Sequence, residues 1–211
     1  VIILSKKSER HISSKKEHLT DSKICYKTYA FLLSVSNFDT SNQKRYVTEL
    51  DLVRLRKQQP MSYNTFRNKI NYLSSVNLIE EKDGNIYLLD PELFFKSETE
   101  TIKFLSNASN DKVIRIYIYL GTMFRLFNDK YKHIEKGIPL HISLDSICEN
   151  TGLKPNAYSR SIVRNQLLAL QSFDLIVFEN TMQLSKKTLK EYECDTILNI
   201  IKVNKSHKQP L

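Results

Sequence analysis

Between Ser62 and Asn77 the chain reads S-Y-N-T-F-R-N-K-I-N-Y-L-S-S-V-N. Wound as a helix with Phe66 inward, this stretch puts Ile70 and Leu73 on the same face, while Asn64, Asn68, Asn71 and Ser75 gather opposite with Arg67 on the flank. No acid falls on that outer face. A carboxamide presents a donor and an acceptor side by side and matches the N6/N7 edge of adenine, as a guanidinium matches O6/N7 of guanine. The major groove of duplex DNA is wide enough to admit a helix carrying such groups. Three Asn and one Arg are therefore suited to reading bases, with a leaning toward adenine. The competing reading, a polar helix face that is only solvated, stays open at this point.

Catalytic chemistry finds less support. The four glycines, Gly84, Gly121, Gly137 and Gly152, lie far apart and supply neither a G-x-G-x-x-G turn nor a G-x-x-x-x-G-K-[ST] phosphate loop. His11, His18, His133, His141 and His207 include no H-x-H pair that could hold a metal beside one of the eleven tyrosines. Cys25, Cys148 and Cys194 are odd in number and contain no C-x-x-C, which points to a reducing compartment and buried thiols. Carboxylates such as Glu80-Glu81 and Asp145/Glu149 read as surface or capping groups. The expectation is a protein that is not an enzyme, with no metal, cofactor or small-molecule ligand. The opening V-I-I-L is too short for a signal-peptide core, and no run of 18 apolar residues follows, so a cytoplasmic protein without a membrane span is expected.

Charge locates where a polyanion would be gripped. The 211 residues carry 32 Lys and Arg against 23 Asp and Glu, a net charge of +9. Residues 40–72 hold seven basic residues and two acids, a local charge of +5, whereas residues 79–100 hold two basic residues and seven acids, a local charge of −5. Arg54, Arg56 and Lys57 are placed to meet phosphates. Beyond the reading segment, only Lys82 and Asn85 are expected to reach DNA from the acidic stretch.

The elements that must position these groups occur twice. Residues 66–79 (F-R-N-K-I-N-Y-L-S-S-V-N-L-I) align without gaps to residues 163–176 (V-R-N-Q-L-L-A-L-Q-S-F-D-L-I) at an offset of 97. Ahead of each copy stands a helix start, Val47-Thr48-x-x-Asp51 and Ile142-Ser143. After the first copy, Asp83-Gly84 separates two apolar-containing runs and predicts a two-residue β-hairpin, and residues 175–184 predict a second hairpin. A further helix precedes each unit: one after Asp21 through Ile24, Phe31 and Val35, the other from a cap at Asp111 through Val113, Tyr117, Leu120 and Phe127. Each half thus reads as helix, helix, turn, helix, β-hairpin. The small count of four Gly and five Pro agrees with a mainly α chain carrying small β-hairpins. The expected divisions are a basic, mobile segment over 1–18, a first domain over 19–105, a polar linker over 106–111, a second domain over 112–202 ending in a helix, and a basic tail over 203–211.

Ser62 to Glu80 resembles the recognition-helix segment of winged helix-turn-helix proteins, S-x-x-T-Φ-x-x-x-L-x-x-L-x-x-x-G-L-I, through Ser62, Thr65, Phe66, Ile70, Leu73, Leu78 and Ile79, with Asn77 at the Gly position. The second copy fits through Ser159, Val163, Leu167, Leu170, Leu175 and Ile176, with Asp174 at that position and Ile162 in place of Thr. Asn and Asp are the best substitutes for Gly at a left-handed helix terminus. Two such domains in tandem in a basic chain resemble the replication initiator (Rep) proteins of plasmids and phages. That resemblance implies an α+β chain of two tandem winged-helix domains that binds repeated origin sites on double-stranded DNA. It further implies self-association and a host helicase or loader as partners. The contacts to DNA would come from Ser62, Tyr63, Asn64, Thr65, Arg67, Asn68 and Asn71 in the first domain. In the second they would come from Arg160, Ser161, Arg164 and Asn165, with Lys186 and Lys187 after the hairpin. A winged-helix transcriptional repressor and a protein-interaction module of a replication or partition complex remain as alternatives.

Overall fold

The computed structural model describes residues 9–13, 16–41, 43–58, 61–89, 94–108, 110–130 and 142–176. These form a mainly helical α+β chain with a four-stranded antiparallel sheet and a separate two-stranded pair. The chain divides into two compact units, Val1–Ile114 and Arg115–Leu211. The division falls inside a helix rather than at the polar stretch 106–111 expected as a linker. There, one helix runs to Ala108 and the next begins at Asp111.

In the first unit the centre is α2 (Tyr26–Val35), which buries Tyr26, Thr28, Tyr29 and every residue from Ala30 to Ser34. A helix apolar nearly all round has to sit inside the fold. It packs against α5 (Thr99–Ala108), an element unforeseen in the sequence, which buries Ile102, Leu105 and Ser106. The basic segment expected as a mobile end carries β1 (Glu9–Ser13), paired antiparallel with β6 (Phe94–Glu98), and a short α1 (Lys16–Thr20) that buries His18 and Leu19. The N-terminal turn of α2 lacks a side-chain cap from Cys25, and Asp111 supplies one instead: its Oδ1 accepts the Lys27 N–H at 3.0 Å. Asp111 was expected to cap its own helix. Asn110 does that, accepting the Val113 N–H at 3.0 Å.

After α2 come β2 (Asn37–Asp39), β3 (Lys44–Val47), α3 (Glu49–Gln58), α4 (Tyr63–Ser75), β4 (Ile79–Lys82) and β5 (Asn85–Leu88), with the sheet ordered β2-β3-β5-β4. Thr48 starts α3 through a reciprocal box with Asp51: its hydroxyl accepts the Asp51 N–H at 3.3 Å, and its own N–H donates to the Asp51 carboxylate at 3.2 Å. Phe66, Ile70 and Leu73 of α4 are buried, the inward face expected from their spacing. Asp83 and Gly84 adopt φ of 52° and 74°, closing a two-residue turn between Lys82 and Asn85 as the Asp-Gly pair predicted. Pleat alternation then sorts the hairpin's side chains: Ile79, Ile86 and Leu88 are buried on the helix side, Tyr46 and Tyr87 pair on the other.

The second unit takes up α6 (Asp111–Lys130) from Arg115 onward, followed by α7 (Leu144–Asn150) and α8 (Ala157–Ser172). Residues 113–122 are buried throughout, and the run I-R-I-Y-I-Y-L is helix rather than strand. Ser143 caps α7 by accepting the Ser146 N–H at 3.1 Å, as its place in the repeat predicts. Val163, Leu167 and Leu170 form the buried face of α8. This helix starts a turn ahead of the counterpart of Ser62, because Asn156 caps it by accepting the Ser159 N–H at 2.9 Å.

The repeat is conserved in hydrogen bonding as well as in sequence. Asn77 and Asp174 both take a left-handed φ, 57° and 54°. In both copies a leucine N–H past that residue returns to a leucine carbonyl of the helix: Leu78 to Leu73 and Leu175 to Leu170, each at 3.0 Å. The second hairpin, the C-terminal helix over 186–202, the tail, and Lys186 and Lys187 lie outside the described residues.

A left-handed φ costs a β-carbon-bearing residue on the order of 1 kcal/mol, least for Asn and Asp. Asn77→Ala is expected to destabilise the protein by about 1 kcal/mol and Asn77→Gly to leave it level or slightly more stable. Asp174→Ala and Asp174→Gly should follow the same order, read from the midpoints of urea unfolding.

Candidate nucleic-acid interface

The outer face of α4 is presented to solvent. Asn64, Arg67, Asn68, Asn71 and Ser75 are all exposed, while Phe66, Ile70 and Leu73 fix the helix from beneath. Two members of the expected contact set hold the helix start: the Ser62 hydroxyl accepts the Thr65 N–H at 3.2 Å and lies 2.8 Å from the Thr65 hydroxyl. Their hydroxyls order the first turn, from which the asparagines project. The far end is tied down by Tyr72, whose hydroxyl donates to Asp21 at 2.5 Å and whose pKa is held above its ordinary value by that bond.

The basic residues of α3 take different positions. Arg54 leans on Asp51 at 3.6 Å, and the Arg56 guanidinium sits 5.6 Å from the ring centroid of Tyr63, an exposed aromatic at the start of α4. Lys57 is exposed. Arg56 and Tyr63 join Leu52, Val53, Phe66, Arg67 and the hairpin residues Glu81 to Ile86 in lining an open groove of about 450 Å³ between α3, α4 and the β4–β5 turn. Lys82 is exposed on that turn and Asn85 half-buried, and Lys82 lies on the outer side of the sheet with Lys44 and Glu80.

One acid enters this surface from outside the helix. Glu81 stands on the helix-facing side of β4, two residues after the buried Ile79, and forms an ion pair with Arg67 at 2.8 Å. The helical wheel alone showed an acid-free face, because a wheel contains no neighbouring strand. Glu80, one position earlier, points to the opposite side and pairs with Lys44 at 3.8 Å.

In the second unit Ser161 and Asn165 are exposed on α8 at the places of Asn64 and Asn68. Leu168, at the place of Asn71, is 50% exposed. Arg164 is half-buried and its Nε meets no acceptor. Arg160 is bound in a fork to Asp145 of α7, Nε to Oδ1 at 2.7 Å and Nη2 to Oδ2 at 2.8 Å, and the guanidinium holds the Asp145 pKa below its ordinary value. Asp145 therefore does more than decorate the surface: it joins α7 to α8. Arg160 is engaged in that joint rather than extended toward solvent. Cys148 beside it is buried, which pushes its thiol pKa up and makes it a poor nucleophile.

Among the described residues no group of three or more His, Cys, Asp or Glu is placed to hold a metal ion, and no helix is long and apolar enough to cross a membrane. No family model, curated protein or solved structure matches this chain.

The Asp145–Arg160 fork is 35% exposed at Arg160 and 40% at Asp145, so solvent screening limits its worth to about 0.5–1 kcal/mol. Asp145→Asn should lower the unfolding free energy by that amount at about pH 7. A depressed carboxylate pKa gives stability that is present above the ordinary value of 3.8 and is lost as pH falls through the lower native value. The gap between wild type and Asp145→Asn in urea unfolding should therefore close as the pH falls below 3.8.

Proposed function

We propose that this chain is a sequence-specific double-stranded DNA-binding protein built from two winged-helix domains, and that it serves as a plasmid or phage replication initiator acting on repeated origin sites. One observation carries the reading. The helix α4 that exposes Asn64, Arg67, Asn68 and Asn71 is the second of two consecutive helices, and a two-stranded turn follows it directly and joins the strand that precedes them. The order α2, β3, α3, α4, β4, β5 with sheet neighbours β3-β5-β4 supports a winged-helix reading, in which α4 would serve as reading helix and the β4–β5 turn as wing. The recurrence of helix, helix and left-handed cap in the second unit supports a second reader, with Ser161 and Asn165 exposed on α8.

On this reading the asparagines contact base edges, while Arg54, Arg56, Lys57 and Lys82 meet phosphates and set the register. Two linked readers allow one chain to engage two successive sites, and the tether raises the effective concentration of the second. The reaction chemistry of replication is left to partners, a helicase or its loader.

Footprinting the purified chain on its own flanking DNA, at about 150 mM salt with competitor, tests the reading, since phosphate contacts alone give strong binding at low salt. Protection of an array of short direct repeats is the expected result; a single protected operator over a promoter would reassign the protein as a repressor. Absence of any protected site would overturn the proposal. Changing Asn64 and Asn68 to Ala should weaken specific binding by about 1–3 kcal/mol for each lost contact and leave binding to random-sequence duplex nearly unchanged, measured by competition titration.

A further inference from the structure

The ion pair between Arg67 and Glu81 bears on how the proposed reading helix tells bases from phosphates. Arg67 is the arginine on the exposed face of α4, and its side chain is 46% exposed, so it is accessible to a ligand. Its partner is not a helix neighbour placed by chance at i+3 or i+4. Glu81 comes from β4, held there by cross-strand pairing with the buried Ile86 and directed at α4 by the same pleat that buries Ile79. The closest approach is between Nη1 and one carboxylate oxygen, at 2.8 Å. An arginine has five N–H donors in a rigid fork and can keep one acid while presenting two donors elsewhere.

Resting on the DNA-binding function proposed above, we propose that Glu81 is a specificity-determining positioning residue, which clamps Arg67 so that its free edge serves a guanine in the major groove while its charge is withheld from phosphates. The physical basis is the difference between the two ligands. A phosphate attracts Arg67 through net charge, and Glu81 cancels that charge and repels the phosphate itself. Guanine O6 and N7 attract through two directed hydrogen bonds, which survive neutralisation and gain from a guanidinium held in one orientation. The other charges lining the groove, Glu49, Arg56, Lys82 and Asp83, balance among themselves, so the surroundings do not restore the lost positive field. The second unit shows a parallel: Arg160, at the front of α8, is neutralised by a carboxylate from another element. The assignment adds a G·C pair to recognition that the asparagines alone would lean toward adenine.

The test compares wild type, Glu81→Gln, Glu81→Asp, Arg67→Ala and the Arg67→Ala/Glu81→Gln double variant as full chains. Each is titrated with a random-sequence duplex across a salt series and with the duplex that wild type protects on its flanking DNA. Glu81 is exposed and its pair contributes little to stability, so Glu81→Gln should fold and melt as wild type does. Glu81→Gln is expected to bind random duplex roughly 3- to 10-fold more tightly. Its plot of log affinity against log salt should be steeper by about 0.9, the value for one additional neutralised phosphate. Its ratio of specific to random binding should fall. Glu81→Asp, which keeps the charge, should stay near wild type. In the Arg67→Ala background the change in slope should vanish, because it acts through Arg67. An unchanged slope in Glu81→Gln, or the same steepening without Arg67, overturns the proposal even where wild type protects a site. If wild type protects no site at all, the DNA-binding function itself falls, and this assignment with it.

Discussion

The helix α4 is held in place by an angle, set where it ends. Phe66, Ile70 and Leu73 bury one face of the helix, but burial alone would let the following chain leave in many directions. The left-handed residue at Asn77, with the Leu78 N–H returned to the Leu73 carbonyl, turns the backbone so that Leu78 and Ile79 enter the core at once and β4 runs back alongside β5. Everything on the outer surface follows from that turn. It brings the hairpin beside the start of the helix, it puts Glu81 opposite Arg67, and it opens the groove between α3, α4 and the β4–β5 turn. The same device recurs at Asp174, where the chain again buries Leu175 and Ile176 immediately after the cap.

Features that depend on neighbours along the chain were legible in the sequence. The inward stripe of α4, the helix starts at Thr48 and Ser143, the Asp83-Gly84 turn and the two left-handed caps each depend on residues within about five positions, where residue type and spacing carry the physics. What was missed is non-local. The strand β1 reads as part of a basic terminus because its pairing with β6 is some eighty residues away, and α5 has too few apolar positions to stand out until α2 is there to cover Ile102 and Leu105. Asp111 sits at its own helix start yet accepts the Lys27 N–H of another helix. Of the contact set, exposure of the asparagines was legible from periodicity. The engagement of Arg67 by Glu81 and of Arg160 by Asp145 was not, since each joins two elements.

The charge distribution gains meaning from these pairs. A block of +5 followed by a block of −5 looks in sequence like a basic surface next to an acidic one. In the fold the two blocks are interleaved, and acids of β4 neutralise selected cations on both sides of the sheet: Glu80 with Lys44, Glu81 with Arg67. Arg56 is turned onto Tyr63, and in the second unit Arg160 is forked to Asp145. Both α4 and α8 therefore expose more amide and hydroxyl than net positive charge, although the chain as a whole carries +9.

That composition has a consequence for how the proposed DNA binder would achieve affinity. Non-specific binding grows with the number of phosphates neutralised, so a reader with some of its cations neutralised binds random duplex less tightly and loses less to competing sites. The same restraint weakens its hold on the correct site, because neutral amide contacts contribute only about 1–3 kcal/mol each. A single unit of this kind would discriminate well and bind poorly. Covalent linkage resolves the conflict: once one reader is seated, the second binds at an effective concentration set by the tether, and affinity rises without adding the positive charge that would erode discrimination. Duplication of the reader and neutralisation of its arginines are, on this argument, two parts of one solution, and each would be a poor design without the other.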